Sequence, residues 1–466
     1  MDHKIILATA ILATLISLSL ATFLIPIATA QEYENELVII SPHSKEILDN
    51  FKLAFEAYAM DVLGVEVTVT SSYHSSGDCY TLAKEWVGAP EADVWWGGGV
   101  DLFMEAAEEG LLLAHKCEDW DKIPVDWFGI PAKDPDGYWT GYALSGFGFV
   151  YNTEYIAAYG LPEPNSWEDL LNPVYRDHIA MCTPARSGST HMLIEIVLQG
   201  MGLDEGWAYL RKMAVNVGLF TARSYDVEVE VDRGEFGVGL VVDYYGFSSG
   251  LAGNPVKFAY PEDYIAVNPD SIAILDGCAH PEIAKAFVDY VLSEEGQMLS
   301  MGIEQRGVSC PSPRLSVWSD ITLPDYLPDV SELDTITYDS ELGSDRWGDV
   351  NTIFEDTIEN KHSELKESWE SIEAVEAELS DLEAEGYDVT AGRTKIEEAK
   401  TAFGAGDYAL ATTTAEAATD TVLAARIASL EEQVAALESE RWLYAGVAGI
   451  AGLIIGALLV PYIRRK

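Results

Sequence analysis

Basic side chains are scarce in this sequence. Twenty-eight lysines and arginines stand against 77 aspartates and glutamates, a formal net charge of −49. A phosphate backbone finds little to bind on such a chain, which excludes nucleic acid as a general partner. Cysteine is also sparse. There are five, and none stands in a C-x-x-C pair, so a zinc site is not expected. Cys79, Cys117, Cys278 and Cys310 suffice for two bridges, with Cys182 left over. Their pairing does not follow from sequence, and plain buried thiols are the other reading. Apolar residues are plentiful: 48% hydrophobic and 11% aromatic in 466 residues, enough for a sizeable core in more than one unit.

Two long apolar runs lie at the ends. Lys4 precedes a run that closes on Ala28-Thr29-Ala30. This has the n-region, h-region and A-x-A form of a secretory signal over residues 1–30, with cleavage before Gln31; an uncleaved anchor is the alternative. From Trp442 to Ile463 there is no charge. At about 1.5 Å per residue such a helix spans roughly 33 Å, enough for a bilayer core. Trp442, Tyr444 and Tyr462 stand at its edges and Arg464, Arg465 and Lys466 follow. This predicts a single C-terminal transmembrane helix with a cytoplasmic tail (464–466) and everything before it outside.

Between these runs the patterning changes once. From Glu36 to about residue 328, short apolar runs alternate with amphipathic stretches: "ELVIIS", "VEVTVTSS" and "ADVWWGGG", each before a helical pattern, then a longer strand "YALSGFGFVYN". A second set follows: "HIAMCTP", "EFGVGLVVDYY" and "SIAILDG". The pattern predicts a mostly parallel α/β sheet in two lobes with a cleft, lobe one over about 36–140 and 270–328 and lobe two over 141–269. Over 329–441 Glu, Ala, Leu and Ser dominate. Leu365, Trp369, Ile372, Val375, Leu379 and Leu382 recur at helical spacing, and Leu423, Ile427, Leu430, Val434 and Leu437 form a heptad seam. A helical, coiled-coil stalk is expected there.

The loop "TPARSGSTH" gathers Arg186, Ser187, Gly188, Ser189, Thr190 and His191 at a helix start. Small residues let backbone N–H groups approach a ligand, and the helix dipole favours negative charge. This reads as an anion clamp; a plain N-cap by Ser187 or Ser189 is the alternative. Arg186 is equally an anion partner or a surface charge. Three further strand-to-helix junctions add His43 and Ser44, Ser72, and Trp96 and Gly97, and the long strand adds Ser145. In open α/β sheets ligands sit at such junctions. His43, His74 and His191 lie at junctions too, where an ordinary hydrogen-bonded side chain is the commoner case.

In order along the chain, "ELVIISPHSKEILDNFKLAFE", "ADVWWGG", "GFGFVYNTEYIAAYGLPEPNSWEDLLNPVYRDHIAMCTPARSGSTH", "GEFGVGLVVDYYGF" and "AVNPDSIAILDGCAHPEIAKAFVDYVLSEEGQ" resemble solute-binding proteins of ABC transporters, in the ferric-ion, phosphonate and sugar-phosphate cluster. The similarity runs from about Glu36 to Leu315. It implies a two-lobed, periplasmic-binding-protein type II-like fold that captures a small anion and delivers it to a permease with its ATPase. No enzymatic activity and no cofactor are implied.

The resemblance leaves "VVDYY" contested. Tyr244 and Tyr245 fall where the ferric-ion members carry two iron-binding tyrosines, whose phenolates bind Fe³⁺ with a synergistic anion. Asp243 followed by aromatics fits the organic-phosphate members, in which the rings wall the pocket and the carboxylate meets ligand hydroxyls or an amine. "PHSKE" sets His43 one residue off the family's usual histidine, which weakens the iron version. Two other classes remain. "GFSSG" matches the G-x-S-x-G elbow of serine hydrolases, with Ser248 as nucleophile, Asp263 or Asp276 as acid and His280 as base. A tethered receptor or adhesion module without a transport role is the third.

Overall fold

The computed structural model describes residues 33–440 apart from 331, 332 and 334, with side chains to residue 436. The expected signal (1–30), transmembrane helix (442–463) and tail lie outside the described residues. Among those described, no helix is long and apolar enough to cross a membrane.

In the first lobe three apolar runs form strands, each followed by a helix. β1 (Glu36–Ser41) leads to α1 (Lys45–Tyr58), β2 (Thr68–Tyr73) to α2 (Ser76–Glu85), and β3 (Val94–Gly99) to α3 (Val100–Glu108). β1 lies between the other two and pairs parallel with both. α1 shows why these helices pack. Ile47, Leu48, Phe51, Ala54 and Phe55 are buried at i, i+1, i+4, i+7 and i+8, one face of a 3.6-residue period. Each of the large side chains contributes about 1.5–3 kcal/mol by leaving water. Short β4 (Leu112–Leu113) and the hairpin of β5 (Asp126–Trp127) and β6 (Ile130–Pro131) complete this side.

The chain then crosses through β7 (Thr140–Asn152), whose 13 residues are all buried. The second lobe holds α4 (Thr153–Tyr159), β8 (Ile179–Cys182), α5 (Gly188–Met201), α6 (Leu203–Ala214), β9 (Val217–Thr221), α7 (Ser224–Asp232), β10 (Val238–Val242), α8 (Asp243–Leu251) and β11 (Val256–Ala259). β12 (Val267–Leu275) returns to lobe one, where α9 (Pro281–Leu292), α10 (Glu294–Ser300) and β13 (Leu315–Ser316) follow.

One sheet runs through both lobes in the order β2-β1-β3-β12-β7-β10-β8-β9. It is parallel among β1, β2 and β3 and again among β8, β9 and β10. The crossing strands are antiparallel to their neighbours, a departure from the parallel expectation. The reason is connectivity: one strand leaves lobe one and the other comes back beside it. β7 pairs with β12 from Thr140 to Gly146 and with β10 from Phe147 to Tyr151. The lobes therefore meet at Gly146–Phe147.

After lobe one come α11 (Ser340–Asp345), α12 (Trp347–Phe354), α13 (His362–Ala384), α14 (Thr390–Gly404) and α15 (Tyr408–Glu440). The helical expectation holds, and Leu365, Trp369, Ile372, Val375, Leu379 and Leu382 are the buried face of α13. The three long helices form a bundle docked on lobe two. Arg176 forks onto Glu373 at 3.0 Å, Arg211 donates to the Gly404 carbonyl, and His362 Nε2 donates to the Ala214 carbonyl at 2.9 Å. Beyond Val422 no described residue of α15 is buried; Ile427, Leu430 and Val434 are half-buried. All five cysteines are free thiols. Burial raises those of Cys79, Cys117, Cys182, Cys278 and Cys310, so they behave as small apolar side chains.

Candidate functional site

The helices that follow the strands begin around one cavity of about 60 Å³ between the lobes. Lobe one contributes His43 before α1, Ser75 and Ser76 at the start of α2, and Gly98 and Gly99 before α3. Lobe two contributes Arg186, Ser187, Gly188 and Ser189 at α5, Ser224 at α7, and Tyr244 and Tyr245 in the first turn of α8. Each helix brings unpaired N–H groups and the positive end of its dipole to the same space.

The two serine-rich turns are locally encoded. Ser187 caps α5 by accepting from the Thr190 N–H at 3.1 Å, and its hydroxyl meets that of Ser189 at 3.0 Å. Ser75 caps α2 in a capping box with Asp78. The loop is thus both an N-cap and part of the cavity wall. Arg186 lines the cavity but is half exposed, with Glu359 at 3.5 Å.

The cavity floor, Ser145, Asn268 and Asp270, is backed over long range by Arg314, which does not itself line it. Arg314 is 1% exposed. It donates to the Tyr142 hydroxyl at 2.8 Å, to Ser145 Oγ at 2.6 Å and to Asp270, and it lies 4.0 Å from the centre of the Tyr244 ring. Asp270 also accepts from the Gly98 N–H at 2.9 Å. Burial opposes charge on Asp270, but Arg314, His43 and these hydrogen bonds outweigh it, and the pKa falls below the usual carboxylate value. An ionised acceptor therefore lines the cavity together with Asn268, whose buried Oδ1 has no protein partner.

His43 sits beside this floor as a neutral ring, its pKa lowered to about 3 chiefly by burial. The Tyr142 hydroxyl accepts a hydrogen bond from Arg314, so it donates its own to the neutral His43 Nε2, at 2.7 Å. Gly97, at φ +106°, makes room: a Cβ there would lie 2.4 Å from that nitrogen.

Several expected contacts stand elsewhere. Trp96 is wholly buried against His43 and Phe51 and Gly97 is the spacer just described; neither reaches the cavity. Ser44, at the start of α1, does not line it either. Ser72 is exposed on β2, with its hydroxyl 3.1 Å from His74 Nε2; the strand alternates sides, and the next residue, Tyr73, lines the cavity edge while half exposed. Thr190 points into the core of lobe two, 1% exposed. Asp243 is buried behind the wall, accepting from the Gly146 N–H at 2.8 Å and the Tyr260 hydroxyl at 2.7 Å. Burial lifts it to about 6. It braces the crossover rather than facing a ligand. His43, Ser145, Arg186, Ser187, Gly188, Ser189, Tyr244 and Tyr245 do line the cavity.

Ser75, Ser76, Asn268, Asp270 and Arg314 were not legible as site residues. The first two stand in "SSYHSSG", a visible junction, and a count of every hydroxyl there would have found them. The others join the site only through β12 and the chain after α10.

The tyrosine pair is a wall of neutral rings. The phenols of Tyr244 and Tyr245 are 4.5 Å apart by ring centre, and burial raises both pKa values, Tyr245 to about 12. The Arg314 charge against Tyr244 disfavours a second cation there. Among the described residues no group of three His, Cys, Asp or Glu side chains is placed to hold a metal. The GFSSG segment does not form a hydrolase elbow. Ser248 lies within α8 with its hydroxyl 3.3 Å from Ser312, while His280 pairs with Asp93.

A family profile described as bacterial extracellular solute-binding protein matches residues 90–312. An uncharacterised protein of Haemophilus influenzae is 31% identical over 242 residues, covering 51% of this chain and 69% of that one. The phosphoglycerate transport regulatory protein PgtC of Salmonella typhimurium is 32% identical over 206 residues, 43% of this chain; the chain spans only 51% of its length. Among solved structures, the periplasmic binding protein AfuA of Actinobacillus pleuropneumoniae, with fructose-6-phosphate bound, is 25% identical with a TM-score of 0.63. It is covered over 99% of its length by 70% of this chain. Iron-bound HitA of Pseudomonas aeruginosa, at 20% identity and a TM-score of 0.56 over 68% of this chain and 99% of its own, shares the fold. The two-lobed sheet, the cavity at the helix starts and these similarities agree: the chain belongs to the bacterial extracellular solute-binding proteins, with the fold of a periplasmic binding protein.

Proposed function

We propose that the cleft captures a small organic phosphate bearing hydroxyl groups, such as a sugar phosphate or phosphorylated sugar acid, and delivers it to the permease of an ABC importer. One observation carries this reading. Helix starts and the hydroxyls of Ser75, Ser76, Ser187 and Ser189 stand in one small cavity with the acceptors Asp270 and Asn268. The donors suit a phosphate and the acceptors suit hydroxyls, a pairing that a bare metal ion does not need. The relatives named for phosphoglycerate transport and solved with fructose-6-phosphate point the same way.

Thermal-shift titration tests this against ferric ion. A ligand at 1,000 times its Kd adds about 4 kcal/mol to the folded state. Fructose-6-phosphate or 3-phosphoglycerate is expected to raise Tm, with ferric citrate inert and the protein colourless. Tyr245→Phe then costs little, because the ring and its buried area remain. A coloured ferric complex, bleached by Tyr245→Phe, would establish the iron reading instead.

We further propose that the lobes work outside the cytoplasm, exported by residues 1–30 and held by 442–463. The uncharged run followed by three basic residues supports this. Protease added to intact cells is expected to remove the lobes and spare a C-terminal tag; a tag digested from outside would refute the topology.

A further inference from the structure

The chain crosses between the lobes a third time, after β7 and β12. This crossing, Tyr338–Trp347, lies past the end of the family match at residue 312. Its side chains grip the lobes alternately. Toward lobe one, Tyr338 donates to Asp101 on α3 at 2.9 Å, and Ser344 donates to Glu105 of the same helix at 3.4 Å. Toward lobe two, Asp339 and Gln199 of α5 exchange two hydrogen bonds, at 2.7 and 3.0 Å. Arg346 pairs with Glu195, which is wholly buried, and His191 Nε2 donates to the Gly343 carbonyl at 3.3 Å.

Trp347 carries these contacts to the edge of the cavity without lining it. Its ring lies 4.1 Å from that of His191, centre to centre. It also reaches within 3.7 Å of where a Cβ on Gly77 of lobe one would lie, and within 4.0 Å of one on Gly188 of lobe two. Gly77 adjoins Ser76, and Gly188 lies between Ser187 and Ser189, all of which line the cavity. The lobes themselves nearly touch here, since a Cβ on Gly188 would come 2.8 Å from Ser76 Oγ. Downstream, the strap is fixed to lobe two, with Phe354 packed edge-on to Phe220 and the bundle beyond. Separating the lobes about Gly146–Phe147 therefore pulls α3 away from a segment tethered to α5.

We infer that Tyr338–Trp347 is a strap holding the lobes shut at the cavity mouth, and that Trp347 is a positioning residue setting the rate of ligand exchange. The exchange role rests on the cleft being the ligand site; the closure role does not. Both are tested on the full chain carrying Cys278→Ser, with spin labels at Val87→Cys and Tyr159→Cys. These positions are 70% and 61% exposed, one on each lobe. Without ligand, the parent is expected to give one narrow inter-label distance. Trp347→Ala, and separately Tyr338→Phe, is expected to add a longer population, and Trp347→Phe to restore the parent distribution. In stopped flow, Trp347→Ala is expected to release fructose-6-phosphate at least tenfold faster than the parent. Unchanged ligand-free distances in both strap variants would overturn the strap. Altered distances with no sugar phosphate bound by any variant would leave the strap standing and sink the ligand reading.

Discussion

Arg314→Met is expected to destabilise the protein by about 3–5 kcal/mol and to abolish ligand binding. The arginine is buried beside Asp270, Tyr142 and Ser145. Methionine retains most of the volume and none of the donors. It leaves the Asp270 carboxylate, only 13% exposed at the cavity wall, without its counter-charge, close to the situation in which removing one partner costs most. The loss should show as a lower denaturant midpoint at unchanged slope.

The pH dependence has a definite sign. In the parent, Asp270 titrates below its unfolded value. Its stabilisation is present above the unfolded carboxylate pKa and is lost as pH falls through the lowered folded value. In Arg314→Met the desolvation that remains raises that pKa, so the variant's deficit should shrink at acid pH. A deficit that is constant from pH 7 to pH 4 would show that Asp270 is not held charged by Arg314. The Tyr244 ring stacks on the same guanidinium, so the cavity wall should loosen with the floor, and both effects act on the ligand.

The double variant Ser187→Ala with Ser189→Ala separates the two roles of the α5 turn. As an N-cap, Ser187 accounts for about 1 kcal/mol of stability. As anion donors, the two hydroxyls supply charge-assisted hydrogen bonds of about 1.5–3 kcal/mol each. Affinity for fructose-6-phosphate should therefore fall by about 100-fold or more, while Tm moves by only a few degrees. Thr190→Val, which alters a side chain outside the cavity, should leave affinity near the parent's. Calorimetry that finds the double variant binding as tightly as the parent would reduce the turn to a cap.

The sequence alone determined what depends on neighbours along the chain. Short continuous apolar runs placed β1, β3 and β8, and helical patterning placed α9, because a strand covered on both faces is apolar nearly throughout while a helix buries one stripe. The serine turn was visible before α5 because capping uses residues three apart. The order of motifs was enough to show the family resemblance. Only the tertiary structure decided which residues reach the ligand space. Ser72 and Asp243 occupy junctions yet point away, since a strand alternates sides and a helix start fans its side chains over a full turn. Arg314 stands 44 residues from Asp270, and nothing local marks either as a partner for the other. The supposed stalk is the same lesson at larger scale. Its helices were legible from periodicity, but what Arg176, Arg211 and Trp347 press against depends on surfaces brought together from distant parts of the chain.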